Sequence, residues 1–174
     1  MSENKEEKSV VEQAGEDLFS YAVERDDIKW ILNQLPQEAE VKPAAVEYEL
    51  QILKIVAVGW AIAYCMDGTP RRKSTLLTLY WDAVNAFSQQ LSETTGLMIG
   101  QDIDYFEILK QRLDFYVKAM AAEPDATDPA AVVGPIFAGQ CGNADDIFAA
   151  LSGAKLFANA LFRVRQYLEA VKLR

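Results

Sequence analysis

Residues 55 to 66 read IVAVGWAIAYCM, without a charge or a side-chain amide. A helix that is apolar on every side has no face to turn to water, so it has to be surrounded. The run closes a longer helical stretch that opens at Pro43, a residue suited to the first position of a helix. Residues 43–66 are therefore expected to be the central helix of an all-α domain, an antiparallel bundle of five or six helices. Ala57, Gly59, Ala61 and Ala63 leave room for neighbouring backbones to come close.

Just downstream, Asp67-Gly68-Thr69-Pro70 punctuates the chain. Gly68 suits a left-handed cap, Thr69 a cap for the next helix and Pro70 its first turn. So short a turn makes the flanking helices antiparallel neighbours. The next helix is expected to bury Leu77, Tyr80, Val84, Phe87 and Leu91 and to stop near Gly96. TTGLMIGQ (94–101) then reads as a loop, with Asp102 as the following cap. Beyond it Ile103, Phe106, Leu109, Leu113, Val117 and Met120 are expected to face inward, until Pro124. A short helix from Asp128-Pro129 is expected to break at Gly134-Pro135, with residues 139–142 as a loop. Asn143, backed by Asp145 and Asp146, opens the last helix. Its main stripe is expected to be Ile147, Leu151, Ala154, Ala158, Leu161, Arg165 and Leu168, with Phe148 and Phe162 adjacent.

Upstream of Pro43, residues 36–42 form a linker. Ser9-Val-Val-Glu12 fits a capping box, and Val11, Ala14, Leu18 and Ala22 make one stripe with Phe19 beside it. Ile28, Ile31, Leu32 and Leu35 make a second. Whether residues 9–35 are one helix or two stays open. Residues 1–8 read as a polar disordered tail and 9–174 as a single domain.

The chain has 174 residues, of which half are hydrophobic and a quarter charged. Such a domain can bury roughly 70% of its unfolded surface, so it needs no disulfide or metal staple. Its 17 Lys and Arg against 26 Asp and Glu give a net charge of −9. That balance disfavours nucleic acid and anionic membranes and favours a basic protein surface. A membrane span needs about 20 apolar residues, and the central run is stopped by Gln51 and Lys54 on one side and by Asp67, Gly68 and Pro70 on the other, so no span is expected. Cys65 reads as a small buried hydrophobe. With only Cys141 besides, and no apolar core behind MSENKEEK, the expected compartment is the cytoplasm. The chain contains no histidine, which excludes Ser-His-Asp and Cys-His catalysis and histidine-held zinc, di-iron and haem. No cofactor is expected.

Four features could carry chemistry. Arg71, Arg72 and Lys73 follow Thr69 and Pro70 in a helix's first turn, where the dipole disfavours cations; a small anion there would offset that cost and collect free N–H groups. Cys141 sits between glycines before a helix, but Asp145 and Asp146 would oppose its thiolate. Asp104, Glu107 and Asp114 could share one side of a helix, with Asp82 facing them. Such an arrangement of carboxylates resembles the all-α nucleotide pyrophosphohydrolases, which hold Mg²⁺ through paired Glu-x-x-Glu and Glu-x-x-Asp ligands; no such pair flanks a buried helix in this chain. Trp60, Tyr64, Tyr80 and Trp81 could line a pocket between helices. Arg163 and Arg165 could serve an acidic ligand or pair with glutamates. The leading expectation is a non-enzymatic cytoplasmic protein that binds another protein or itself. The alternatives are a small-molecule or lipid carrier with an aromatic pocket, and a carboxylate/Mg²⁺ nucleotide hydrolase.

Overall fold

The computed structural model describes residues 8–174, and every regular element among them is a helix. In order these are α1 (Val10–Val23), α2 (Asp26–Gln34), α3 (Pro43–Cys65), α4 (Pro70–Ile99), α5 (Tyr105–Ala122), α6 (Pro129–Gln140) and α7 (Ile147–Ala170). The chain is thus an all-α bundle, and α3 is its centre: each of the other six helices packs against it. Leu50, Leu53, Val56, Ala57, Val58, Ala61 and Ile62 are all buried, on every side of α3. Gly59 is needed where Trp81 of α4 crosses, because a Cβ there would lie 2.3 Å from the indole ring. Ala63, by contrast, is exposed. Residues 1–7, most of the expected tail, lie outside the described residues; Lys8 is exposed and pairs with Glu16 at 2.6 Å.

Residues 9–35 form two helices. The capping box at Ser9 and Glu12 is present in both directions. Glu24 then turns extended (φ −63°, ψ 141°) and the chain restarts at Asp26. The break has a tertiary cause. The Lys54 ammonium of α3 donates to the Glu24 carbonyl at 2.7 Å and to the Asp27 carboxylate at 2.8 Å, holding the corner against α3.

Several boundaries differ from the sequence expectation. Gly68 is not left-handed: α3 ends at Cys65, Met66 is extended, and Gly100 and Gly142 are the left-handed glycines among the described residues. Helix α4 runs through Gly96 to Ile99, because Gly100 supplies the left-handed cap (φ 66°) and its N–H returns to the Gly96 carbonyl. Asp104, not Asp102, caps α5 by accepting from the Glu107 N–H at 3.0 Å. In α5 the inward place assigned to Val117 belongs to Tyr116, which is fully buried. Helix α6 continues through Gly134-Pro135 to Gln140. A proline inside a helix costs about 3 kcal/mol; here Gly134 lets α6 lie so close to α7 that a Cβ would come 2.7 Å from the Ala150 carbonyl. Asp146, not Asn143, caps α7 by accepting from the Ala149 N–H at 2.9 Å.

The largest correction concerns the face of α7. Its buried residues are Ala149, Gly153, Leu156, Phe157, Ala160, Val164 and Leu168. Of the expected stripe only Leu168 is buried, while Ile147 and Leu151 are 63% and 61% exposed. The reason is steric. A Cβ at Gly153 would lie 2.4 Å from the Phe137 ring of α6. Packing that close turns the side of α7 that carries Ala149, Gly153 and Ala160 towards its neighbours and leaves Ile147 and Leu151 facing out.

Candidate functional site

The four aromatic candidates occupy different surroundings. Tyr80 is fully buried and its hydroxyl donates to the Ile55 carbonyl at 2.7 Å, so it is a core residue. Trp81 meets Tyr80 edge-on, with centroids 5.2 Å apart, and lies over Gly59. Trp60 stacks on Tyr64 at 4.7 Å and touches Phe157 of α7 at 5.5 Å; Tyr64 itself is largely exposed. Trp81 borders an open groove of about 580 Å³, whose other walls include Pro70, Lys73, Leu77 and Asp82. The groove is shallow rather than an enclosed aromatic pocket.

At the start of α4, the Thr69 hydroxyl makes no capping bond. Arg71 and Arg72 are exposed and Lys73 is half-buried at the groove. Among the described residues none of the three cations forms an ion pair. The carboxylate candidates do not converge. Asp82 is exposed in the groove, and Asp104 is engaged as the α5 cap. Glu107 pairs with Lys110 at 2.7 Å, and that hydrogen bond holds its carboxyl below the usual range. Asp114 pairs with Lys118 at 2.6 Å. Among the described residues no group of three or more His, Cys, Asp or Glu could hold a metal ion. Cys141 is a buried residue at the end of α6, not an exposed loop thiol. Burial, then the charges of Glu49 and Asp146, push its thiol up to about 12, which leaves almost no thiolate near neutrality.

Two buried charge clusters were not anticipated. Lys54 is 1% exposed, with its ammonium 4.4 Å from the Tyr21 ring centroid as well as bonded to Glu24 and Asp27. Glu49, five residues earlier on α3, accepts two hydrogen bonds from Arg112 of α5 at 3.1 and 2.8 Å. Beside it the Tyr116 hydroxyl is buried without a partner among the described residues, and burial raises its pKa. The available signal was that Glu49 and Lys54 sit in a helix otherwise apolar all round, where a charge has to bring a partner inward. Both clusters fix helices to α3; neither opens onto a described groove.

The remaining surface candidate is an apolar face. Along the outer side of α7, Ile147, Phe148, Leu151, Ala158 and Phe162 are exposed, and Trp30 of α2 lies beside them. The Lys155 ammonium sits 4.2 Å above the Trp30 ring. Between α2 and α7 lies a cleft of about 160 Å³, with Trp30, Leu35, Pro36, Phe148 and Leu151 among its walls. The tip of α4 is a smaller apolar feature, with Leu97, Met98 and Ile99 all exposed.

Comparison of the chain with protein-family models, with curated proteins and with solved structures returned no match.

Proposed function

We propose that this protein is a non-enzymatic binding module whose working surface is the outer face of α7 with Trp30 beside it. The observation that carries the reading is the exposure of Ile147 and Leu151 on a helix whose other side is core. Full burial of each such side chain would contribute about 1.5–3 kcal/mol. A contiguous apolar face of this kind marks an interaction surface. The small cleft between α2 and α7 would receive one projecting side chain of a partner, and the cation over the Trp30 ring helps to hold that wall in place. Two free cysteines support a cytoplasmic setting.

Site-specific photo-crosslinking in the cells that make the protein tests the reading. A crosslinking residue at Leu151 is expected to yield covalent adducts well above those from Gln111, an exposed position on α5. Adducts to another protein or to another copy both count in its favour. Adducts from position 151 no more abundant than from position 111 would overturn it.

A further inference from the structure

Resting on that reading of α7, we infer that the occupant of the face is a second copy of this chain, its α7 lying antiparallel across the first. Ile147, Leu151, Ala154, Ala158 and Leu161 follow one another at alternating intervals of four and three. That is the spacing of a seam between two paired helices. Ile147, Leu151 and Ala158 are exposed, and Ala154 and Leu161 half-buried. The same spacing continues to Arg165, exposed, and Leu168, buried, so the seam leaves the surface near the C-terminal end of the helix.

Charge selects both the mate and its direction. Arg165, next on the stripe after Leu161, is exposed and, among the described residues, pairs with no acid. Asp145 is exposed just before the helix begins, and it too forms no ion pair among the described residues. In a parallel pair Arg165 of one copy would meet Arg165 of the other, and Asp145 would meet Asp145. In an antiparallel pair with Ala154 facing Ala158, Leu151 faces Leu161, Ile147 faces the stem of Arg165, and Asp145, two residues before Ile147, lies beside the Arg165 guanidinium of the mate. The seam is therefore self-complementary in both size and charge, as a two-fold interface requires. The alanines nearest the two-fold axis let the helices approach closely. Lys155 would otherwise meet its symmetry mate there, but it is drawn aside over the Trp30 ring. A lipid surface would gain little from alanines at the centre of the stripe; a second helix gains close packing.

Sedimentation equilibrium of the full chain tests the inference, from micromolar to submillimolar concentrations and at physiological salt, where only close charges interact. The expected result is a reversible dimer. Leu151→Asp should weaken it by about 100-fold or more, since an unpaired carboxylate enters the seam twice; Leu151 is exposed, so the monomer's circular dichroism should not change. Asp145→Arg and Arg165→Asp should each weaken it by about 10-fold, and the two together should restore it. A chain monomeric throughout, a dimer indifferent to Leu151→Asp, or a double exchange that rescues nothing would overturn the inference. So would a monomer that floats with anionic vesicles and loses this on Leu151→Asp, since that assigns the face to lipid. The two readings fail separately. A monomeric chain that still crosslinks to a different protein through position 151 retains the binding module and discards self-pairing; a monomeric chain with no such adducts discards both.

Discussion

Helices α3 and α7 are near twins in sequence terms and opposites in the fold. They have 23 and 24 residues, and each is long and apolar enough, by length and composition only, to cross a membrane. Yet 72% of the most apolar window of α3 is buried inside the chain's own bundle, against 33% of that of α7. The contrast shows that hydropathy measures how much apolar surface a helix has, not what covers it. The six other helices surround α3, whereas α7 is flanked by α2, α3 and α6 and has one side left over.

The contrast can be broken most directly on the inner side of α7 and at the charged end of α3. Phe157 is fully buried against Trp60; Phe157→Ala should cost about 3–5 kcal/mol in urea unfolding. Arg112→Met strands the buried carboxylate of Glu49 and should cost a similar ~3–5 kcal/mol. A loss below 1 kcal/mol in either, by this order-of-magnitude scale, would mean that the contact with α3 is not what holds that helix.

The two faces of α7 can then be set against each other with the same substitution. Leu156→Ala, on the buried side, should cost about 2–5 kcal/mol. Leu151→Ala, on the bare side, should cost under about 0.5 kcal/mol when the chain is too dilute to associate. Equal losses would show the outer face to be covered within one chain. A finer pair compares two tyrosines packed around α3. Tyr80→Phe removes a hydroxyl bonded to the Ile55 carbonyl and should cost about 0.5–1.5 kcal/mol, while Tyr116→Phe removes a buried hydroxyl with no partner and should be neutral or stabilising.

The smallest effect near neutrality is that of alkali. The Cys141 thiol moves from an ordinary 9.0 up to about 12 in the folded chain. Above pH 9 the unfolded chain therefore holds fewer protons at this group than the folded one, so stability falls as pH rises from 9 towards 12. The buried hydroxyls of Tyr80 and Tyr116, raised from their ordinary 10.0, act in the same direction from pH 10 upward. Urea unfolding across this range should show the decline, shallower in Cys141→Ala. At pH 8 a thiol reagent should label Cys141 only as fast as the chain opens; immediate labelling of the folded protein would contradict the burial.

The central helix was legible because twelve consecutive uncharged residues leave a helix no other place than the interior. The caps at Ser9 and Asp128 were legible because their bonds reach only a few residues along the chain. Gly96 misled because glycine permits a left-handed turn without demanding one, and Gly100 stood ready four residues later. Pro135 misled because docking against α7 outweighed a local cost. Of the proposed site, Leu151, Ala158 and Phe162 were legible as one apolar side of the last helix. Their exposure was not legible, since nothing in a helical period says which of two apolar sides meets the neighbours.

The sequence alone determined an all-helical chain with a wholly apolar post at its middle, because period and composition act within single segments. The tertiary structure decided how α7 is turned, where Lys54 and Glu49 find their counter-charges, and hence which surface stays bare. The turn of α7 depends on the close approach of Gly134 and Gly153 to residues on another helix, and distances between helices are not written in the spacing of either one.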